Sequence, residues 1–179
     1  HPETLTIDPD LIEERINKRT KAIIVVHHFG HAAHMDEIME LGKKYNLKII
    51  EDNAESIGAT YKGKLLGTFG DVSTYSFFGN KIMTTGEGGA VLTNDEGTAI
   101  KCRELRDHGM SHKRKYHHVD LGYNYRMTNM QAAIGLAQME KIDEILSLRR
   151  VQMEFYYKKL SNIDGISLRK YADWCEPVH

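Results

Sequence analysis

The sequence is poor in the features that mark several whole classes of protein. It holds two cysteines, Cys102 and Cys175, far apart in the chain. That is too few for a disulfide framework or a zinc ligand set, and it fits a reducing cytoplasm. With 3 prolines and no low-complexity tract, it has no proline-rich linker. No apolar run approaches membrane-spanning length, and no secretory signal opens the chain, so neither membrane nor export is expected. Charge of one sign is lacking too. The formal net charge is -1, and the only basic run is "HKRK" at 112–115, too short to suggest a nucleic-acid or membrane surface. The chain begins with His1 rather than Met, which suggests a fragment of a longer protein.

What is present is a steady alternation of helical and extended patterns. The stretch "IDPDLIEERINK" (7–18) places Leu11, Ile12 and Ile16 at helical spacing after an Asp-Pro start. "KAIIVVHH" (21–28) is a β-branched run, predicted to be a strand buried on both faces. A helix is expected over 35–46, a second buried strand over 47–53, and two more strands over 71–78 and 89–95. A helix over 96–109 is closed by Gly109, and from Thr128 the pattern is helical nearly to Leu160, with a break near Lys141. Strands alternating with helices of about a dozen residues indicate an α/β fold with a largely parallel sheet. In such sheets ligands collect at the carboxyl ends of the strands. Asp52 falls at one such end, and Lys81 follows another strand.

Three clusters invite a chemical reading. "HHFGHAAH" contains His27, His28, His31 and His34, but no carboxylate stands at a zinc-like spacing, so no metal site is assigned. The glycines of "GEGG" (86–89) match neither a dinucleotide fingerprint nor a phosphate loop, and a plain turn explains them. The third cluster combines Asp52, Ser76 and Lys81. Pyridoxal 5'-phosphate (PLP) needs a covalent amine, an acid for its ring nitrogen and hydroxyls for its phosphate. Each residue also has a plainer use: a strand-end Asp as a helix cap, Ser76 as sheet filler, Lys81 as a surface charge. Composition and spacing leave both readings open.

A resemblance goes further. "IIEDNAESIGATYKGKLLGTFGDVSTYSFFGNKIMTTGEGGAVLTND", followed by "GYNYRMTNMQAAIGLAQMEKID", resembles the DegT/DnrJ/EryC1/StrS family of PLP-dependent sugar aminotransferases over residues 7–160. The resemblance implies the large domain of a fold-type-I PLP-dependent transferase, a central mostly parallel mixed sheet flanked by helices. It implies a PLP-binding part over 1–140, then a long helix and the start of a small C-terminal domain over 141–179. Lys81 corresponds to the Schiff-base lysine and Asp52 to the acid facing the pyridine nitrogen. Glu55 matches the position facing the ring near its phenolic oxygen, Ser76 the serine that binds the phosphate. Asn124 matches the asparagine that reaches the cofactor phosphate of the neighbouring subunit in a homodimer with shared active sites. The implied substrates are glutamate and a nucleotide-linked 4-keto-6-deoxy sugar, the product serving O-antigen or other surface polysaccharide. Ala32 and His34 depart from the proline and aspartate common in relatives. Segments that wall the cofactor before residue 1, and a C-terminal domain after the long helix, are expected to be missing. A related sugar dehydratase carries histidine at the lysine position, against which Lys81 argues. A catalytically inactive remnant of the fold is the other alternative.

Overall fold

The computed structural model describes residues 1–178. Four strands form the main sheet in the order β1 (Ala22–Val26), β2 (Lys48–Asp52), β5 (Val72–Ser76), β6 (Gly89–Leu92). The first three run parallel, and β6 returns antiparallel, so the sheet is mixed. Two short strands, β3 (Thr60–Tyr61) and β4 (Lys64–Leu65), make a small hairpin, which β7 (Cys175–Glu176) extends near the end of the chain. The helices are α1 (Met35–Tyr45), α2 (Glu96–Arg106), α3 (Asn129–Met139) and α4 (Ile142–Leu160).

Local chemistry sets the helix ends. Asn46 stops α1 in a left-handed conformation, with its N–H returned to Gly42 and Lys43. Acidic residues open this helix and lysines close it, as the helix dipole favours. A Cβ on Gly42 would come within 2.8 Å of Ile49 Cδ1, so glycine here lets α1 lie close on β2. Asp95 caps α2 by accepting from Thr98 N, and Thr128 with Gln131 forms a capping box at the start of α3. The break expected near Lys141 separates α3 from α4.

Two expectations are corrected. Residues 7–18 are not one helix but two single 3₁₀ turns, Pro9–Leu11 and Glu13–Arg15, after which Ile16 is extended. A segment this short gains little from helix propagation, and the turns seat Ile12 in the core with Ile7 and Ile16 packed against it. The β1 strand is not buried on both faces. It lies at the sheet edge, and Ile24 and Val26 are 61% and 41% exposed while Ile23 and Val25 are buried. The core forms on one face only. There Ile23, Val25 and Ile49 meet Met35 and Ile38 of α1, Leu146 of α4, and Cys175 and Val178 of the returning chain. Residues before 141 and the later Leu146, Cys175 and Val178 therefore contribute to the same hydrophobic cluster.

A buried carboxylate stands in that face. Glu51 is fully buried, yet it accepts from the backbone N–H groups of Gly67 (2.7 Å), Phe69 (2.7 Å) and Gly70 (2.6 Å). His27 Nε2 lies 3.2 Å from Glu51 Oε2, and His27 Nδ1 accepts from Ala33 N at 3.1 Å. That second bond fixes the tautomer: Nδ1 is the acceptor, so Nε2 carries the proton donated to Glu51. Burial works to raise the Glu51 carboxyl, but His27 and the N–H groups of Gly70, Gly67 and Phe69 together hold it below the ordinary range. Gly67 has φ +86°, and a Cβ there would clash with Tyr75 Oη, so the loop feeding Glu51 requires glycine.

Replacing Glu51 by Gln turns one acceptor oxygen into a donor facing backbone donors, and is expected to cost about 3 kcal/mol or more in urea denaturation. Because the folded-state carboxyl is depressed, its stabilisation is present above the ordinary glutamate range and lost as pH falls through the depressed value. Acid unfolding profiles should therefore be flatter for Glu51→Gln than for the parent chain.

Candidate active site

Register places two of the expected residues on one face. Val26 pairs with Asp52 and Asp52 with Thr74, so these side chains share the face opposite Glu51. Ser76 lies two residues beyond Thr74 and pairs with Gly89, which keeps it on that same face. Both Asp52 and Ser76 thus sit at the carboxyl ends of neighbouring parallel strands. Asp52 Oδ1 accepts from Ala54 N at 3.0 Å, turning the chain as it leaves β2. Ser76 Oγ accepts from Phe78 N at 3.3 Å.

The turn after β2 then delivers Glu55. Its Oε1 lies 3.3 Å from Lys81 Nζ, and its Oε2 accepts from Phe29 N at 2.9 Å and lies 3.6 Å from His28 Nδ1. One carboxylate thereby joins the exits of β1, β2 and β5. Desolvation works to raise its pKa, but the Phe29 N–H and the Lys81 ammonium outweigh it, and the carboxyl is held below the ordinary range. Lys81 itself is half-buried between exposed Phe78 and buried Ile82. The excursion that carries it is closed at its base by Thr85 N to Phe77 O and Phe77 N to Gly88 O, both 2.9 Å. Glu55 is the acid in contact with Lys81; Asp52 stands at the neighbouring strand end.

Asn124 is not brought to this group by any of its recorded hydrogen bonds. It lies exposed on the hairpin after α2, bridged to Asp107, and its Oδ1 accepts from Arg126 N at 3.4 Å. Glycines allow that hairpin: a Cβ on Gly122 would stand 2.2 Å from Gly109 N. The four histidines of "HHFGHAAH" separate into different tasks. His27 serves Glu51 and His28 flanks Glu55. His31 is buried, donates from Nδ1 to Ala32 O at 2.7 Å and accepts from Ala172 N at 3.2 Å; burial holds its pKa down. His34 packs against Trp174 with ring centroids 4.6 Å apart.

Three contributors escaped the sequence reading. Phe29 holds φ 50° and ψ 39°, the left-handed region, which points its N–H at Glu55. Only the following Gly30 hinted at a sharp turn. Arg169, 141 residues away, donates from Nη1 to His28 O at 2.8 Å and from Nη2 to Thr4 O, tying the β1 exit to both ends of the chain. No local signal marks it. The third is the side of α3 facing the lysine turn, where Gln138 is hydrogen-bonded to Thr84.

A mixed α/β sheet with an amine and carboxylates at its strand ends is an arrangement suited to a carbonyl cofactor. The chain belongs to the DegT/DnrJ/EryC1/StrS aminotransferase family, whose model matches residues 1–178. It is 51% identical over 162 residues to the GDP-perosamine synthase of Caulobacter vibrioides, and 49% identical over 161 residues to that of Escherichia coli O157:H7. Each match covers 90% of this chain and 44% of the relative. The S. venezuelae protein DesV superposes with a TM-score of 0.90 at 37% identity, over 99% of this chain and 48% of that one. The chain therefore spans about half the length of the proteins it matches. The fold is the expected one, the large-domain architecture of fold-type-I PLP-dependent transferases.

Phe29 offers a direct check on the site's geometry. Phe29→Gly keeps the N–H and removes the steric cost of a left-handed residue, so thermal stability should hold or rise by up to about 1 kcal/mol. Phe29→Pro removes the N–H and forces negative φ; it should lower the melting temperature and break the Glu55 contact. Equal behaviour of the two variants would show that this backbone geometry is not maintained in solution.

Proposed function

We propose that the protein is a PLP-dependent aminotransferase that moves an amino group from glutamate to a nucleotide-linked 4-keto-6-deoxy sugar, as a GDP-perosamine synthase does. The observation that carries this reading is the Lys81–Glu55 pair, at the strand ends where Asp52 and Ser76 share a sheet face. The donor set fits the cofactor: a half-buried amine, a strand-end carboxylate and a strand-end hydroxyl lie on adjoining exits. The family and the identity to the two synthases support the reaction class. The free cysteines suit a cytoplasmic enzyme. Among the described residues no helix is long and apolar enough to cross a membrane.

When bound, PLP supplies a conjugated ring that takes up the electrons released as a carbon–hydrogen bond breaks. The chain's residues do the rest. Lys81 Nζ would hold the cofactor covalently, and as a free amine it would be the base that takes the donor's α-proton. Asp52 would keep a proton on the ring nitrogen through its carboxylate. Ser76 Oγ would bind the phosphate, while Glu55, in contact with Lys81 Nζ, would orient that amine and help hold the ring. Lys81 would return the proton on the sugar side of an exchange in which the C4 keto oxygen is replaced by the amino group and glutamate leaves as its 2-oxo acid, the aminated product entering surface polysaccharide. Asn124 would donate its side-chain amide to the cofactor phosphate of a second subunit, in a homodimer with shared sites. The boundary at 140/141 belongs to the same reading, with the cofactor-binding part before it and the approach to a small domain after it.

Lys81→Ala should abolish both glutamate-dependent transamination and borohydride fixation of PLP to the protein; cofactor still fixed to the variant would make Lys81 the wrong residue. Asp52→Asn should bind cofactor yet slow turnover by two or more powers of ten, read by steady-state kinetics, since a neutral amide cannot hold the pyridinium proton. Asn124→Ala should weaken cofactor retention by about ten- to hundredfold, the loss of a charge-assisted hydrogen bond. Mixed with Lys81→Ala subunits, it should regain activity in hybrids having one intact site. Hybrids that form but stay inactive would rule out shared sites.

A further inference from the structure

We propose that Gln138 is a positioning residue for Lys81, acting by clamping the backbone of the turn that follows it. The proposal rests on the reading of Lys81 as the cofactor lysine. Its starting point is how little of α3 is covered. Among the helix residues, Gly135 is buried and Gln131 and Gln138 are partly so, while the rest, including Met130 and Ile134, are exposed. At spacings of four and three these residues form one stripe, and the contacts recorded for that stripe run to the excursion between β5 and β6.

The stripe works as two hydrogen-bonding ends around a close approach. Gln138 Oε1 accepts from Thr84 N at 3.0 Å, and Gln138 Nε2 donates to Thr84 O at 2.6 Å, so one amide holds both polar groups of one peptide residue. At the other end Gln131 Nε2 donates to Glu87 O at 3.2 Å. Between them a Cβ on Gly135 would stand 2.9 Å from Thr85 Cγ2, so glycine is what lets the helix come this near. Gln138 Nε2 also lies 3.1 Å from Ile134 O on its own helix, which fixes the amide's orientation.

The clamp reaches Lys81 by a short path. Thr84 lies three residues after Lys81, with Ile82 and Met83 buried between them. Thr84 Oγ1 donates to Phe77 O at 3.0 Å, closing the excursion on the β5 side. Glu55 holds the lysine at its Nζ, while Gln138 holds the backbone from which the side chain springs. With the clamp removed, Thr84 keeps its own hydroxyl bond but its N–H and C=O lose this partner. The lysine's backbone then keeps its own N–H bond to Phe78 O at 3.0 Å, the packing of Ile82 and Met83, and the Phe77 closure, but no tie to α3 through Thr84.

The test uses Gln138→Met, which keeps side-chain length and volume without the amide, alongside Gln138→Ala. Two quantities are measured on the folded protein, with unfolding midpoints as a check on integrity. One is hydrogen exchange of the backbone amides over residues 77–88 without cofactor; the other is the rate at which added PLP becomes fixable to Lys81 by borohydride. The proposal expects faster exchange confined to this segment and fixation slowed about tenfold in Gln138→Met, with the circular dichroism spectrum of the parent. Parental exchange and fixation rates in both variants overturn it. Faster exchange with an unchanged fixation rate also overturns it, leaving the clamp a purely structural contact. If the parent protein fixes no PLP at all, the aminotransferase reading falls and the positioning role with it. The exchange difference identifies that case by persisting without any cofactor chemistry.

Discussion

The arrangement of the strand ends depends on one buried charge. Glu51 lies on the core face of β2, where an unpaired carboxylate would be strongly unfavourable. It is tolerable because the loop at 67–70 turns its amides inward and His27, at the exit of β1, presents a protonated ring nitrogen. Those partners come from separate parts of the chain, so satisfying the charge draws the β1 exit and the loop before β5 onto β2. The adjacent residue, Asp52, must then point the other way, because side chains alternate along a strand. Two consecutive acids thus point to opposite faces, Glu51 into the core and Asp52 away from it.

The opposite face of the sheet has a different character. Ile24, Val26 and Val91 are exposed on it beside the half-buried Asp52, Thr74 and Ser76. Predominantly parallel sheets are ordinarily covered on both sides, and among the described residues this face has no layer packed on it. The polar groups of the site thus emerge from an apolar surface, a setting that strengthens any electrostatic interaction made there once water is excluded. Glu55 bridges that surface to the lysine turn, linking three strand exits through one carboxylate. On the far side α3 braces the same turn through its glutamines, so Lys81 is constrained from both its tip and its backbone.

Much of this was readable from residue order. The run "KAIIVVHH" had to be a strand, since β-branched residues crowd a helix. The helix from Thr128 and its break near Lys141 followed from the helical pattern. The positions of Asp52 at a strand end and of Lys81 after another strand were legible because strand and turn signals are local; their roles came from the family resemblance, since each residue also has a plainer use. The 3₁₀ turns replacing a helix at 7–18, and the open face of β1, were not legible. Periodicity reports which side chains are apolar but not what lies across from them.

The sequence by itself determined the alternation of elements, the family, and the residues brought to the strand ends, because these depend on neighbours a few positions apart. Only the tertiary structure decided which carboxylate meets Lys81. Glu55 reaches it through the turn after β2, steadied by a left-handed Phe29 that aims its N–H across a gap of 26 positions. It also decided that the histidines serve four different surroundings, and that Arg169 and Gln138 hold the site's backbone from 141 and 54 residues away. Such bonds are set by packing between distant segments, and no local pattern encodes the distance at which two parts of a chain meet.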